Sequence, residues 1–379
     1  MKTADMSVIE LSGTPRERGR LYGETAKDLI AKAVEAWKAD LGNFNQGNAS
    51  VKTQNPDAYI EEFLSQTNYT KSIQKWAPAL LEEVRGIAEG AGQDFQIMLG
   101  FQLIDEEWVY GLRRGLDKPI NKCTAFGLPN QKNSISYAGQ NMDVPSWVEG
   151  LQVLLRVMPK DNAPEALVFT KAGSIGLNGL NASSLGITCN TLAQLNYATD
   201  GLPVSFIVRS VLERSSIEEA EQFLRSIKHA SGQNYILSSP EDMRCFECCG
   251  TSVVRYAPEK YQGRVFHSNH PLVNPDENNL LPPDKKRNKN TVARLDSISN
   301  QLGDMSREMT LKDIKAALAA HDDHENPVSR QINSNNVSSS IGYTAGSSIY
   351  ELGATPRLHL AAGPPCETDF KIFEFISEP

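Results

Sequence analysis

Residues 123–143 set the strongest constraint on how this chain can fold. Cys123-Thr124-Ala125-Phe126-Gly127 is a short apolar run with a cysteine at its head, and Tyr137-Ala138-Gly139-Gln140-Asn141-Met142-Asp143 follows about one hairpin later. The second segment brings a glycine, two amide side chains and a carboxylate to the same small region. An N-terminal cysteine carries a thiol and, in its own α-amino group, a base. The amine titrates near ~7.7–8.0 and the thiol near ~8.5. At neutral pH the amine can therefore take the thiol proton, with no need of the histidine that a Cys–His pair uses. Cys123 is read as a nucleophile that becomes an N-terminus when the Lys122–Cys123 bond breaks. Lys118-Pro119 interrupts the chain just ahead of it, as an exposed scissile bond requires.

The chain around this stretch divides into a helical and a strand-rich part. A short strand, Ser7 to Leu11, and a turn at Gly13-Thr14-Pro15 lead into a helix with apolar residues at Leu21, Ala26, Leu29, Ile30, Ala33 and Trp37. Thr14 with Glu17 forms a capping box, and Pro15 suits the first helical position. Residues 41–56, rich in Gly, Asn and Gln, read as a loop. Helices are expected over 57–70, 71–92 and 94–111. From Cys123 on, strands are expected at 123–128, 134–140, 150–158, 166–171, 173–181, 185–192, 233–238, 243–248, 263–267, 347–352, 357–361 and 369–374. Helices intervene at 202–212, 216–229, 290–302 and 310–320. This order suits two packed sheets with helices outside.

The motifs carry a family resemblance. Cys123-Thr124 opening a strand and Gly139-Gln140-Asn141-Met142-Asp143 ending the next resemble the acyl-coenzyme A:6-aminopenicillanic acid acyltransferase family (peptidase family C45) of the N-terminal-nucleophile (Ntn) hydrolases. Gly13-Thr14-Pro15 with Gly19-Arg20-Leu21-Tyr22-Gly23 is similar to the opening of that family. Close helix packing explains the same glycines without a catalytic role. The resemblance implies an α+β, four-layer αββα sandwich of two antiparallel sheets. It also implies self-cleavage into a mostly helical 1–122 segment and a 123–379 catalytic part, forming an α/β heterodimer from one precursor. The implied activity is hydrolysis or transfer of an acyl group held in amide linkage.

On this resemblance Asp143 orients the new α-amine, Asn190 and Asn269 supply oxyanion donors, and Arg330 holds Asp143 or a substrate carboxylate. Gln140 and Asn141 shape the substrate pocket. Each asparagine equally fits a turn residue bonded to its own backbone, and Arg330 an ordinary surface arginine. One departure stands out: Lys122 occupies the position where relatives often have glycine, which eases attack of the thiol on the preceding carbonyl.

Composition narrows the partners. The 379 residues carry a formal net charge of -8, with 40% hydrophobic residues, which argues for a sizeable core and against a nucleic-acid surface. The basic run Lys285-Lys286-Arg287-Asn288-Lys289 beside Pro282-Pro283 reads as a solvated turn. No apolar run approaches the length of a membrane span, and Met1 to Glu10 does not resemble a secretory signal, so a cytoplasmic protein is expected. Six cysteines in a chain this long do not suggest a disulfide framework, and Cys245-x-x-Cys248-Cys249 reads as buried thiols on a strand rather than a metal site. No cofactor is expected. The expected partner is a small N-acyl substrate, with acyl-coenzyme A or an amine as acceptor. Two other readings remain open: an uncleaved, silent protein that binds acylated molecules, and a Cys–His hydrolase using His270 or His324.

Overall fold

The computed structural model describes residues 6–46, 55–116, 123–131, 134–159, 163–281, 288–332 and 342–376. Lys122, Pro282-Pro283 and Lys285-Lys286-Arg287 lie outside them. The strands are β1 (Ser7–Gly13), β2 (Thr124–Gln131), β3 (Ile135–Pro145), β4 (Gln152–Pro159), β5 (Ala166–Lys171), β6 (Asn178–Asn181), β7 (Gly186–Thr191), β8 (Gln233–Ser238), β9 (Met243–Cys248), β10 (Val253–Tyr256), β11 (Val265–His267), β12 (Gly342–Leu352), β13 (Arg357–Ala361) and β14 (Lys371–Glu374). Helices α1 (Pro15–Thr25), α2 (Lys27–Gln46), α3 (Pro56–Ser65), α4 (Tyr69–Trp76), α5 (Pro78–Ala91), α6 (Phe95–Gln102) and α7 (Ile104–Arg113) precede β2. Helices α8 (Val204–Leu212), α9 (Ile217–Ser226), α10 (Lys289–Leu302) and α11 (Leu311–Leu318) follow later in the chain.

The strands form two sheets. One has the order β1-β4-β5-β6-β7-β8-β9-β10, the other β11-β2-β3-β12-β13-β14. Pairing is antiparallel except for β1 beside β4, which is parallel. Strands β2 and β3 face β7, while α8 and α9 cover the first sheet and α10 the second. This is the αββα layering. Residues of the central β5, β7 and β8 are buried on both faces, so they read as continuous rather than alternating apolar or small polar runs. A second core of Phe126, Leu128, Phe266, Ile298, Leu302 and Leu318 lies between the second sheet and α10 and α11.

Local chemistry explains the entry helices. Thr14 N donates to Glu17 Oε2 at 2.8 Å and Glu17 N to Thr14 Oγ1 at 3.4 Å, the reciprocal cap read from sequence. Helix α1 crosses α5 at backbone contact. A methyl group on Gly19 would lie 1.9 Å from Glu83 O, and one on Gly86 2.2 Å from Arg16 O. Close packing is thus a sufficient reason for these glycines.

Four expectations need correction, and one strand was not foreseen. The first helix is two, because Ala26 leaves helical geometry (φ -106°, ψ 20°), and α2 then runs on to Gln46 through the region read as loop. Burial of Val34, Trp37 and Leu41 overrides the loop-like composition there. Likewise 71–92 and 94–111 each break into two helices, at Ala77 and Leu103. Strand β10 is half-buried and lacks a strong apolar pattern, so the sequence did not disclose it.

Glu83 joins three helices. Its carboxylate, fully buried, takes Arg18 Nη2 at 3.1 Å and Arg209 Nη1 at 2.7 Å, linking α1, α5 and α8. Burial alone would raise its pKa, but Arg209 and Arg18 outweigh burial and hold it below the ordinary carboxylate range. Its stabilisation is therefore present above the unfolded pKa and lost as pH falls through the depressed folded value. Glu83→Gln should lower unfolding free energy by roughly 3–5 kcal/mol, because two buried guanidinium groups lose their counter-charge. Urea titration at pH 7 reads the loss, and the gap between the two proteins should narrow at low pH.

Candidate active site

The β2–β3 hairpin is the base of the site. Thr124 pairs with Asn141, Ala125 with Gln140 and Phe126 with Gly139. Gly139 is required by close approach: a methyl there would lie 2.0 Å from Ser348 O on β12. Cys123 stands immediately before β2 and is 2% exposed. Its Sγ lies 3.4 Å from Met142 Sδ and 3.9 Å from Asp143 O. Burial first, and then the Asp143 carboxylate, push the thiol up to about 12, against a smaller pull from Arg294. The thiol in this state is neutral, and a base beside it is needed to make the thiolate.

Arg294, on α10, was not among the residues singled out from sequence. It is fully buried. Nη1 donates to Cys123 O at 2.5 Å and Thr124 Oγ1 at 2.8 Å, Nη2 to Asn269 Oδ1 at 3.0 Å, and Nε to Asn290 Oδ1 at 2.9 Å. Burial pulls its pKa down to about 10, and Asp143 and Cys123 oppose that pull. Asn290 and Arg294 are spaced i, i+4 on one helix face, a pattern too common to have marked them.

Asp143 accepts Thr344 Oγ1 at 2.7 Å. That threonine is set by a bulge in β12, where Thr344 pairs with Asp143 and Gly346 with Met142. Arg330 reaches Asp143 through the same hydroxyl. Its backbone N donates to Thr344 Oγ1 at 2.9 Å, while no ion pair of its guanidinium is present among the described residues. It nonetheless lies near enough to Arg294 to disfavour that residue's charge.

The two predicted asparagines differ in kind. Asn269 is committed at both ends, with Oδ1 on Arg294 and Nδ2 donating to Thr191 O at 3.0 Å. Asn190 accepts Asn234 Nδ2 at 2.9 Å on its Oδ1, while its own Nδ2 is buried without an acceptor. The strand alternation shows where that donor faces. Asn190 pairs with Asn234, which pairs with Glu247, and Glu247 takes His267 Nε2 of the second sheet at 2.8 Å. Asn190 thus faces the sheet that Cys123 heads. An orphan donor there is what a developing oxyanion requires.

The amides of the motif are bound inside the protein. Strand β6 pairs with β7 only as far as Ile187, which leaves Cys189 on an open edge. Gln140 fills it, with Cys189 N donating to Oε1 at 2.8 Å and Nε2 donating to Cys189 O at 3.1 Å. Asn141 Nδ2 donates to Leu318 O at 2.8 Å and Val328 O at 3.0 Å, tying down the end of α11. The structure thus brings Cys123, Asp143, Asn269 and Arg294 together and places Asn190 on the facing sheet. It turns Asn141 toward the outer helix layer. The contacts of Cys123 Sγ include no histidine: His270 Nδ1 lies 3.0 Å from Thr291 Oγ1, and His324 is exposed. Cys245, Cys248 and Cys249 are buried, with Cys245 Sγ donating to Asn234 Oδ1.

A buried cysteine at a strand head and an unpaired amide on the opposite sheet, within an αββα sandwich, define a candidate acyl-transfer site. The model of the acyl-coenzyme A:6-aminopenicillanic acid acyl-transferase family matches residues 130–355, and the chain belongs to that family. The matched stretch begins just past Cys123 and contains Asp143, Asn190, Asn269, Arg294 and Arg330. The chain is 28% identical over 269 residues to the 40 kDa form of acyl-coenzyme A:6-aminopenicillanic-acid-acyltransferase of Emericella nidulans, covering 70% of each. Among solved structures, similarity extends to a conjugated bile acid hydrolase from Clostridium perfringens, with 12% identity, 68% of this chain, 98% of that chain and TM-score 0.44. A penicillin V acylase from Agrobacterium tumefaciens gives 13%, 67%, 86% and 0.45. Among the described residues no helix is long and apolar enough to cross a membrane.

Two substitutions probe the site. Asn190→Ala should cut acyl-transfer rate by ~10²–10³ while binding substrate nearly as before, seen as a fall in kcat at similar KM. Arg294→Lys should cost about 3 kcal/mol or more, because one ammonium cannot reach four acceptors and leaves buried carbonyl and amide oxygens unbonded. Thermal unfolding measures that cost.

Proposed function

We propose that the protein is a self-processing cysteine amidohydrolase or acyltransferase acting on an N-acylated small molecule in the cytoplasm. Cleavage before Cys123 frees its α-amine, and the amine takes the thiol proton. The thiolate adds to the amide carbonyl, Asn190 Nδ2 donates to the resulting oxyanion, and the amine leaves with a proton. The acyl group then stands as a thioester on Cys123 until water or an acceptor amine removes it. Asp143, fixed by Thr344, holds the α-ammonium, and Arg294 fixes Cys123 through its carbonyl. Acyl-coenzyme A could supply the same thioester from the other direction.

One observation carries this reading. The Asn190 amide donor is buried without an acceptor and faces the sheet whose first strand Cys123 heads. The thiol held up near 12 gives a second support: in the uncleaved chain it needs a base that no neighbouring histidine supplies. Family membership supports acyl chemistry on acylated small molecules, and the residues matched do so without fixing the acyl group or the amine.

The test is intact mass and N-terminal sequencing of purified protein, followed by a screen of N-acyl compounds for amine release. Wild type should yield two pieces, one ending at Lys122 and one starting at Cys123, and Cys123→Ala should stay whole and inactive. Processed enzyme should gain kcat/KM as pH rises through the α-amine pKa near ~7.7–8.0. A whole, active wild type would overturn self-processing. A whole, inactive one would favour a silent protein that binds acylated molecules, a reading to which Lys122 in place of glycine lends weight.

A further inference from the structure

A small cavity of about 40 Å³ lies beside this site, lined by Lys171, Asp105, Trp147, Trp108, Val144 and Leu177. Val144 follows Asp143 on β3, and Leu177 O accepts Cys189 Sγ at 3.2 Å, so the cavity sits where β6 ends and the β7 edge opens. Asp105 fixes its near wall: Oδ2 takes Thr191 Oγ1 at 3.1 Å and Gln233 Nε2 at 2.9 Å, next to the Asn190–Asn234 pair. At ~10–15 Å³ for each water-sized occupant, the space holds roughly three heavy atoms, the size of one carboxylate group.

Gln102 and Ser205 also line it, but their polar atoms are bonded within the protein. Gln102 Nε2 donates to Met98 O and Gly173 O, its Oε1 accepts Ile175 N, and Ser205 Oγ donates to Gln102 O. The lining also holds a cation without a partner. Lys171 is 6% exposed at the end of β5. Among the described residues its ammonium has no carboxylate within ion-pair distance and no hydrogen-bond acceptor. Its contacts are the Phe101 ring, 5.1 Å from Nζ to the centroid, and the field of Asp105. The indole N–H of Trp147, another lining residue, is also buried without an acceptor. A protein gains nothing in stability from a buried, unpaired ammonium. Burial pulls it down to about 8, with Asp105 holding it up.

We infer that this cavity is the subsite for a carboxylate on the N-acyl substrate, and that Lys171 is its counter-ion. The inference rests on the acyl-transfer reading only in calling the ligand a substrate. The carboxylate could belong to the acyl part, as in a dicarboxylic half-amide, or to the amine part, as in an N-acyl amino acid. Both present the same anion to Lys171.

The test is calorimetric binding to full-length Cys123→Ala protein, which cannot turn the ligands over. Glutaric acid mono-ethylamide is compared with its neutral terminal carboxamide, and N-pentanoylglycine with N-pentanoylglycinamide. One of the two carboxylates should bind roughly 10- to 100-fold tighter than its amide partner, and which pair does so assigns the carboxylate to the acyl or amine side. Adding Lys171→Met should erase that gap while melting temperature holds or rises, since a buried charge is removed; Lys171→Gln serves if the Met variant does not fold. Equal binding within both pairs, or a gap that survives loss of Lys171, overturns the inference even if the wild type hydrolyses N-acyl compounds. A Lys171-dependent gap with no turnover of any N-acyl compound upholds the subsite and defeats the acyl-transfer reading instead.

Discussion

The position of the candidate nucleophile depends on one buried guanidinium. Arg294 is out of water entirely and meets four acceptors from the head of β2, the residue that opens β2, the Asn269 segment and its own helix. A buried cation is tolerable only when its donors are matched, and the planar fork of arginine can match several segments at once. Through Asn269 the same network reaches Thr191 of the opposite sheet, and Thr191 reaches Asp105. Both sheets and α7 are thereby registered on the carbonyl of Cys123. The cation also opposes the rise in thiol pKa that burial and Asp143 impose, so position and reactivity have a common source.

The same region uses amide side chains in place of backbone. Gln140 offers an acceptor and a donor to Cys189 where β6 has run out, as a neighbouring strand would. Asn141, pointing the other way, satisfies two carbonyls near the end of α11. Buried backbone groups without partners are costly, and a side-chain amide carries a separate N–H donor and C=O acceptor in the same arrangement as a peptide group. The Gly-Gln-Asn-x-Asp run therefore has a packing role in every one of its first three residues, beside any chemical role of Asp143.

The helical segment ahead of Cys123 is bound to the strand-rich part by buried polar contacts as well as apolar ones. Glu83 of α5 pairs with Arg209 of α8, and Asp105 of α7 takes bonds from β7 and β8. A break before Cys123 would leave these contacts whole, and the two pieces would remain one body. Cavity, orphan donor and thiol all lie where these layers meet, which is where a polar group can be left unpaired without unravelling an element.

Most element types and the hairpin could be read from the residues alone, the exceptions being the C-terminal part of α2 and strand β10. Local signals suffice for these: Thr14 with Glu17 caps a helix, Pro78 starts one, and apolar period marks the strands. Spacing within the hairpin brings Asp143 close to Cys123, whereas Asn190, on the other sheet, was marked only by the family resemblance. Only the tertiary structure disclosed Arg294 and Lys171. An arginine on a helix and a lysine ending a strand look the same in sequence whether solvated or buried, and burial is decided by elements distant in the chain. The split of Asn269 from Asn190 was decided in the same way. Asn190 lies in β7 and Asn269 just past β11, and what separates them is whether a neighbour brought in by folding uses the amide donor or leaves it free.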